Sequence, residues 1–180
     1  MNMLLSILVL LLSSTLLTSS LPVPDSPNPS THIAYAQFTG VVTGTINFRE
    51  DGSQTFTNVI VQLYSGLTNL TGQYAYHIHQ YPVPNSGDCN LTGGHLSPSG
   101  YPDGAPCDPN IPNLCQEGDL SGKHGKLPGF PSGQILYRQY QDPYLKWVNP
   151  TDTIFGRSVV IHYPNGTRYA CANIYAGYPE

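Results

Sequence analysis

Eight stretches of this chain read as β-strands, each cut short by turn residues, and nowhere does a helical period take over. Ile33–Thr39, Val41–Phe48, Phe56–Tyr64 and Gln73–His79 follow one another closely, and Gln134–Tyr140, Tyr144–Val148, Ile154–His162 and Arg168–Ile174 make a second set. Side chains two apart on a strand share a face, so short alternating strands bury one face and expose the other. Glu50-Asp51-Gly52-Ser53 is a strong hairpin signal, because Asp-Gly tolerates the positive φ of a tight turn. The pattern predicts an all-β sandwich or barrel. With 10% charged residues, 18 Gly and 17 Pro in 180 residues, long helix bundles and coiled coils are poor readings. The charges, 7 basic against 11 acidic, sum to −4 and are scattered, so no basic stripe exists to neutralise phosphates and nucleic acid is not an expected partner.

The N-terminus predicts export. Residues 1–24 carry no charged side chain, and Leu4 to Leu12 is apolar except for Ser6, a segment too short to cross a bilayer comfortably. Thr18-Ser19-Ser20 offers small residues for cleavage, so residues 1–20 read as a signal peptide; an uncleaved signal anchor is the alternative, since no Lys or Arg marks the leading region. Residues 21–31, rich in Pro, read as an extended linker, and 32–180 as one β domain. Sequons at Asn69, Asn90 and Asn165 and an even number of cysteines, four, agree with an oxidising, extracellular or cell-wall destination. The C-terminal residues show no hydrophobic tail that would predict a membrane anchor.

Residues 81–133 hold 9 Pro, 10 Gly and three of the four cysteines without sustained alternation, and read as a long loop. Just before it, His77-Ile78-His79 places two imidazoles on one strand face, where they can converge on one ion, while Tyr76 and Ile78 point into the core. Imidazole suits copper, zinc, iron and nickel alike, so the pair alone names no metal. His95 follows Gly93-Gly94, and His162 ends the apolar run Ser158–Ile161. His32, beside the linker, is expected to be solvated, His124 to be structural, and Trp147 to be a core or barrel-surface residue.

Taken together and in order, His77-x-His79, Cys89, Gly94-His95, Gly118-Asp119-Leu120, Phe155–His162 and Arg168-Tyr169-Ala170-Cys171 resemble the copper/zinc superoxide dismutases across residues 32–175. The resemblance implies a flattened, eight-stranded Greek-key β-barrel with long disulfide-stapled loops. It implies copper held by His77, His79, His95 and His162, a Cys89–Cys171 disulfide, and Arg168 beside the metal to attract superoxide. Two departures matter. Residues 96–118 contain no His, leaving only His95 and Asp119 of a zinc site, too few for a metal that is almost always four-coordinate. Gln116 stands where one histidine is missing, with Glu117 beside it. Only Tyr163–Thr167 separates His162 from Arg168, where the zinc-containing enzymes carry a long charged loop.

Both departures resemble the secreted copper-only superoxide dismutases of fungi, and that likeness favours pairing Cys107 with Cys115. The expected function is extracellular disproportionation of superoxide to dioxygen and hydrogen peroxide at an open, zinc-free copper site. The competing readings are a copper-binding or copper-buffering barrel without turnover and a structural wall protein. His95 is expected to be the ligand able to let go of copper. Asp119, with Glu117 near it, is expected to accept a hydrogen bond from the second nitrogen of His95.

Overall fold

A computed structural model describes residues 32–53 and 55–179. The expected signal peptide (1–20) and the linker (21–31) lie outside the described residues. Among the described residues nine strands form: β1 (Ile33–Thr39), β2 (Thr43–Glu50), β3 (Thr57–Ser65), β4 (Gln73–Tyr74), β5 (Tyr76–His79), β6 (Leu127–Pro128), β7 (Leu136–Asp142), β8 (Ser158–His162) and β9 (Arg168–Ala176). Seven make one curled antiparallel sheet in the order β5-β8-β9-β1-β2-β3-β7, and β4 and β6 pair as a two-stranded ribbon. The chain leaves β3 at one side of the sheet and re-enters at the far edge as β5, a long-range crossing of the kind that defines a Greek key.

The alternation predicted from the sequence is what turns inward. Ala34, Ala36 and Phe38 of β1, Ile46 and Phe48 of β2, Val59, Val61 and Leu63 of β3, and Ala172 and Ile174 of β9 are buried in one core. The β2–β3 hairpin turns where expected: Gly52 has φ 81°, and the Asp51 carboxylate accepts from the backbone N–H groups of Ser53 and Thr55 at 3.1 Å each. Its register slips once, at Thr43/Gly44, where a Cβ on Gly44 would lie 2.3 Å from the Gln62 carbonyl oxygen.

Several expectations need correction. Tyr144–Val148 is not a strand. Leu145 and Trp147 alternate inward as a strand would, but only an isolated bridge between Lys146 and Thr153 forms there. Gln73–His79 breaks at Ala75, because the chain leaves β6 and joins β8; the Ala75 carbonyl accepts from His162 N at 2.7 Å. The last strand before the tight turn starts at Ser158 rather than Ile154, after a positive φ of 70° at Gly156. The long loop is not structureless either: it carries a helix, α1 (Leu120–His124), and strand β6.

That helix occupies the seam between the two edge strands. Ser121 Oγ meets both the backbone N–H and, at 2.8 Å, the carbonyl of Tyr76 on β5. On the other side, Arg138 of β7 donates to the carbonyls of His124, Gly125 and Lys126 at 2.7 to 3.2 Å. Beneath the helix the Tyr76 and Tyr140 hydroxyls meet at 2.8 Å, joining β5 to β7. The open edges are thus bridged and no bare edge is left there. His32 is buried, not solvated: it is 8% exposed, stacks on Trp147 with ring centroids 5.5 Å apart, and pairs with Glu50. Trp147 lies in the core and donates to Thr57 Oγ1 at 2.9 Å.

Candidate metal centre

Strands β5 and β8 are buried on both faces, which lets one pair of strands serve two purposes. On the core face, Tyr76 and Ile78 sit opposite Ile161 and Val159. On the other face, His77 and His79 lie opposite Val160 and Ser158, and His162 follows two residues on. His95 comes from the loop, brought in by a bridge between His79 and His95. Three backbone hydrogen bonds fix this approach: Leu96 N to Ile78 O at 2.8 Å, Gly118 N to Leu96 O at 2.8 Å, and Ile78 N to Gly118 O at 2.9 Å. A Cβ on Gly118 would lie 2.4 Å from the Ile78 oxygen, so the close passage requires glycine.

The structure brings one nitrogen of each of His77, His79, His95 and His162 within 4.8 Å of the others. Their hydrogen bonds decide which nitrogens are free. His79 Nδ1–H donates to Gly93 O at 3.0 Å and His162 Nδ1–H to Gly166 O at 2.9 Å, so both Nε2 atoms carry lone pairs, and these face one another at 3.3 Å. His95 Nδ1 lies 2.5 Å from Gln116 Oε1, and the Gln116 amide group is committed as donor to Tyr101 O at 2.9 Å and Asp103 Oδ1 at 3.1 Å. The amide therefore presents its oxygen, His95 carries its proton on Nδ1, and its Nε2 is free as well. His77 Nδ1 is buried with no hydrogen-bond partner.

Four lone pairs converging in a buried place repel unless a cation shares them, and an orphaned buried nitrogen is costly. A metal ion held by His77 Nδ1 and by Nε2 of His79, His95 and His162 would answer both conditions. Burial favours the neutral form, which a ligand must have, at His77, His79 and His162. It pushes His77 far below the ordinary histidine range, with the other histidines adding to the effect, and lowers His79 to about 3. His162 is lowered by burial too, with His95 and Arg168 reinforcing it. An all-nitrogen set of this kind suits copper.

The expected partner of His95 is corrected. Gln116, not Asp119, accepts from its Nδ1. Asp119 caps α1, accepting from Gly122 N at 2.7 Å, and its Oδ1 lies 3.6 Å from His77 Nε2, beyond hydrogen-bond range. Glu117 brings no carboxylate to the histidines: its Oε2 is buried without a partner, and the residue takes part through its backbone carbonyl. Gln116 was visible in the sequence as the substitute for a histidine, but a neutral amide announces no acceptor role.

Arg168 stands beside the cluster. Its Nη1 donates to Cys89 O at 2.6 Å and Thr92 Oγ1 at 3.2 Å, and its Nη2 donates to Gly93 O, the carbonyl that also holds His79. The Cys89–Cys171 disulfide ties the same loop to β9, and Cys107 pairs with Cys115. His124 is remote from the four histidines and pairs with Asp142 at 2.8 Å. Asn69, Asn90 and Asn165 are all exposed.

The chain belongs to the copper/zinc superoxide dismutase family, whose sequence profile matches residues 42–174. Among curated proteins it is similar to a cell surface Cu-only superoxide dismutase of Arthroderma benhamiae, 43% identical over 108 residues, covering 59% of this chain and 29% of the relative. It is also similar to the cell surface Cu-only superoxide dismutase 5 of Candida albicans, 37% identical over 135 residues, covering 74% of this chain and 54% of the relative. In both cases the chain spans only part of the relative's length. The solved structure of Candida albicans superoxide dismutase 5 with Cu(II) superposes with a TM-score of 0.67 at 32% identity, covering 83% of this chain and 95% of that one.

Proposed function

We propose that the protein is an extracellular, copper-only superoxide dismutase, associated with the cell surface as its relatives are named, with an open mononuclear copper site and no zinc. The observation that carries this reading is the set of four imidazoles with one nitrogen each within 4.8 Å of the others, one of them otherwise orphaned in the interior. His77, His79, His95 and His162 would hold the ion. Bound copper supplies one-electron chemistry, by which one superoxide is oxidised to dioxygen and the next is reduced to hydrogen peroxide.

The chain's own residues prepare that chemistry. Gly93 O, Gly166 O and Gln116 Oε1 fix the imidazole tautomers so that no ring needs to reorient when the ion binds. Arg168 is held rigidly by three oxygens and retains N–H groups for an anion, offsetting the net charge of −4 that would repel superoxide. The tight turn after β8, closed by Tyr163 N to Thr167 O at 2.8 Å, supports an open site because no loop rises from it. Against zinc stands the partner of His95 Nδ1, a neutral amide with both donors engaged, where a second cation would need anionic or nitrogen ligands. The sequons at Asn69, Asn90 and Asn165 are proposed as glycan acceptors.

Elemental analysis and reconstitution with copper alone test the reading. One copper per chain and superoxide decay at rates near the diffusional ceiling support the enzyme. Stoichiometric consumption of superoxide identifies a copper buffer instead, and a demand for one zinc per chain overturns the zinc-free site.

A further inference from the structure

Beneath the copper-site loop lies a charged pair that the proposed reaction does not use. Lys123 and Asp142 have side chains with 0% exposure, and Lys123 Nζ lies 2.7 Å from Asp142 Oδ2. Charges so far from water persist only when paired and hydrogen-bonded. The ammonium meets three partners: the carboxylate, the Glu117 carbonyl at 2.7 Å, and the face of Tyr144 with its centroid 5.3 Å away. Asp142 is fully engaged as well, accepting from His124 Nε2 at 2.8 Å and from Tyr144 N at 2.8 Å.

The contact with Glu117 links this pair to the metal centre. Glu117 lies inside the turn that runs from Gln116 to Asp119, closed by Asp119 N to Gln116 O at 3.0 Å. One end of the turn sends Gln116 Oε1 to His95, and the other places Asp119 Oδ1 3.6 Å from His77. Lys123 is the side chain that grips the carbonyl between them, and it is anchored across the seam to β7. The geometry points to Lys123 as a positioning residue for the copper centre: a cation tethered to the chain that holds the Gln116–Asp119 turn in place, so that the turn needs no second metal ion. This inference rests on the copper-only reading above.

A hydrogen bond from a charged donor is roughly twice as strong as a neutral one, and hydrogen bonds weaken steeply when stretched or bent. Without the ammonium the Glu117 carbonyl is a buried acceptor lacking its donor, the turn relaxes toward other partners, and the Gln116 oxygen leaves His95 Nδ1. The imidazole is then free to rotate or change tautomer.

Three variants test it, each read by copper affinity, by the Cu(II) electron paramagnetic resonance spectrum and by thermal melting. Lys123→Met leaves Asp142 short of a partner and is the one at risk of not folding. Asp142→Asn weakens the ion pair but keeps the amine on Glu117 O; it is expected to melt earlier while retaining the wild-type spectrum. In Lys123→Met/Asp142→Asn no buried charge is left unpaired, the asparagine still accepts from Tyr144 N, and His124 accepts from its amide by exchanging tautomer. That double variant is expected to fold at least as stably as Asp142→Asn, yet to hold copper about tenfold or more weakly, with an altered spectrum. A folded double variant with wild-type copper affinity and spectrum overturns the inference. If the unaltered protein takes up no copper, the functional reading fails and this inference with it; if it takes up copper and the double variant is indistinguishable, the inference alone fails.

Discussion

Replacing Gln116 with Leu removes the side chain that accepts from His95 Nδ1. Gln116 is 4% exposed, so water does not replace what it loses. Three hydrogen bonds go: from His95 Nδ1, to Tyr101 O and to Asp103 Oδ1. The Asp103 side chain is 58% exposed and rehydrates at little cost. The His95 N–H and the Tyr101 carbonyl are the groups left short, each costing about 1–3 kcal/mol if they stay dry. Burying a leucine returns about 1.5–3 kcal/mol, so the net destabilisation centres on about 2 kcal/mol. For a domain of this size that lowers the melting temperature by roughly 4–8 °C. Copper affinity should fall more conspicuously, by about 10- to 100-fold, because the His95 ring loses the contact that sets its tautomer. Differential scanning calorimetry of the metal-free protein and competition titration with a copper chelator measure the two effects separately. A variant that melts earlier but binds copper like the wild type would show that Gln116 supports the loop and not the ligand, and the reasoning would fail.

Asp119→Ala removes the cap of α1 and the carboxylate nearest His77, and should cost about 1 kcal/mol in a urea melt together with a severalfold loss of copper affinity; unchanged copper retention refutes the second part. Replacing Cys107 and Cys115 with Ser opens a loop with a sequence separation of 8, worth about 2–3 kcal/mol by chain entropy, seen as an earlier thermal transition with the Cys89–Cys171 bond intact. If Arg168 steers an anion, the bimolecular rate falls with rising ionic strength as screening sets in at about 10 Å in 0.1 M salt, and Arg168→Gln flattens that slope; a wild-type rate indifferent to salt refutes steering. The metal-free protein should lose stability in acid. His79 takes up a proton near 6.5 when unfolded but only at about 3 when folded, so between those values the unfolded chain binds more protons and stability falls as pH falls; melting temperatures that do not drop between pH 7 and pH 4 contradict this.

What the sequence revealed was governed by how local each signal was. The period-two pattern located β1, β2, β3, β7 and β9 to within a few residues, because inward residues such as Ile46, Phe48, Val59 and Val61 are spaced by the pleat itself. The same rule misled at Tyr144–Val148, where Leu145 and Trp147 alternate inward without a partner strand, since burial in steps of two does not require a ladder. Helix α1 is five residues long, too short for a hydrophobic period to show, so the stretch reads as loop in the sequence. The four histidines were found because His-x-His needs only strand geometry and the remainder came from family resemblance. The buried polar pairs were missed: His95 with Gln116, His32 with Glu50, and Lys123 with Asp142 meet across 21, 18 and 19 positions of chain, and nothing local announces them.

The four imidazoles are not held alike, and the difference bears on how the centre works. His77 and His79 sit on β5 and His162 on β8, so their backbones are fixed by a ladder whose other face is the hydrophobic core. Moving any of them disturbs the packing of Tyr76, Ile78 or Ile161, all with 0% exposure. His95 has no such ladder; its backbone is placed by an isolated bridge to His79 and by Asp103 Oδ1, which accepts from its N–H at 3.0 Å, while its ring is held by the Gln116 amide and its side chain is 19% exposed. A ring held by side-chain contacts can tilt where rings held by a sheet cannot, since packed strands resist displacement and loop contacts yield at small cost. We propose that His95 would be the imidazole able to lengthen its contact with a bound ion, while the other three would hold position. On that proposal Gln116 would set both where His95 returns and which nitrogen it presents, a task for which a neutral amide with both donors already engaged is suited because it cannot itself titrate.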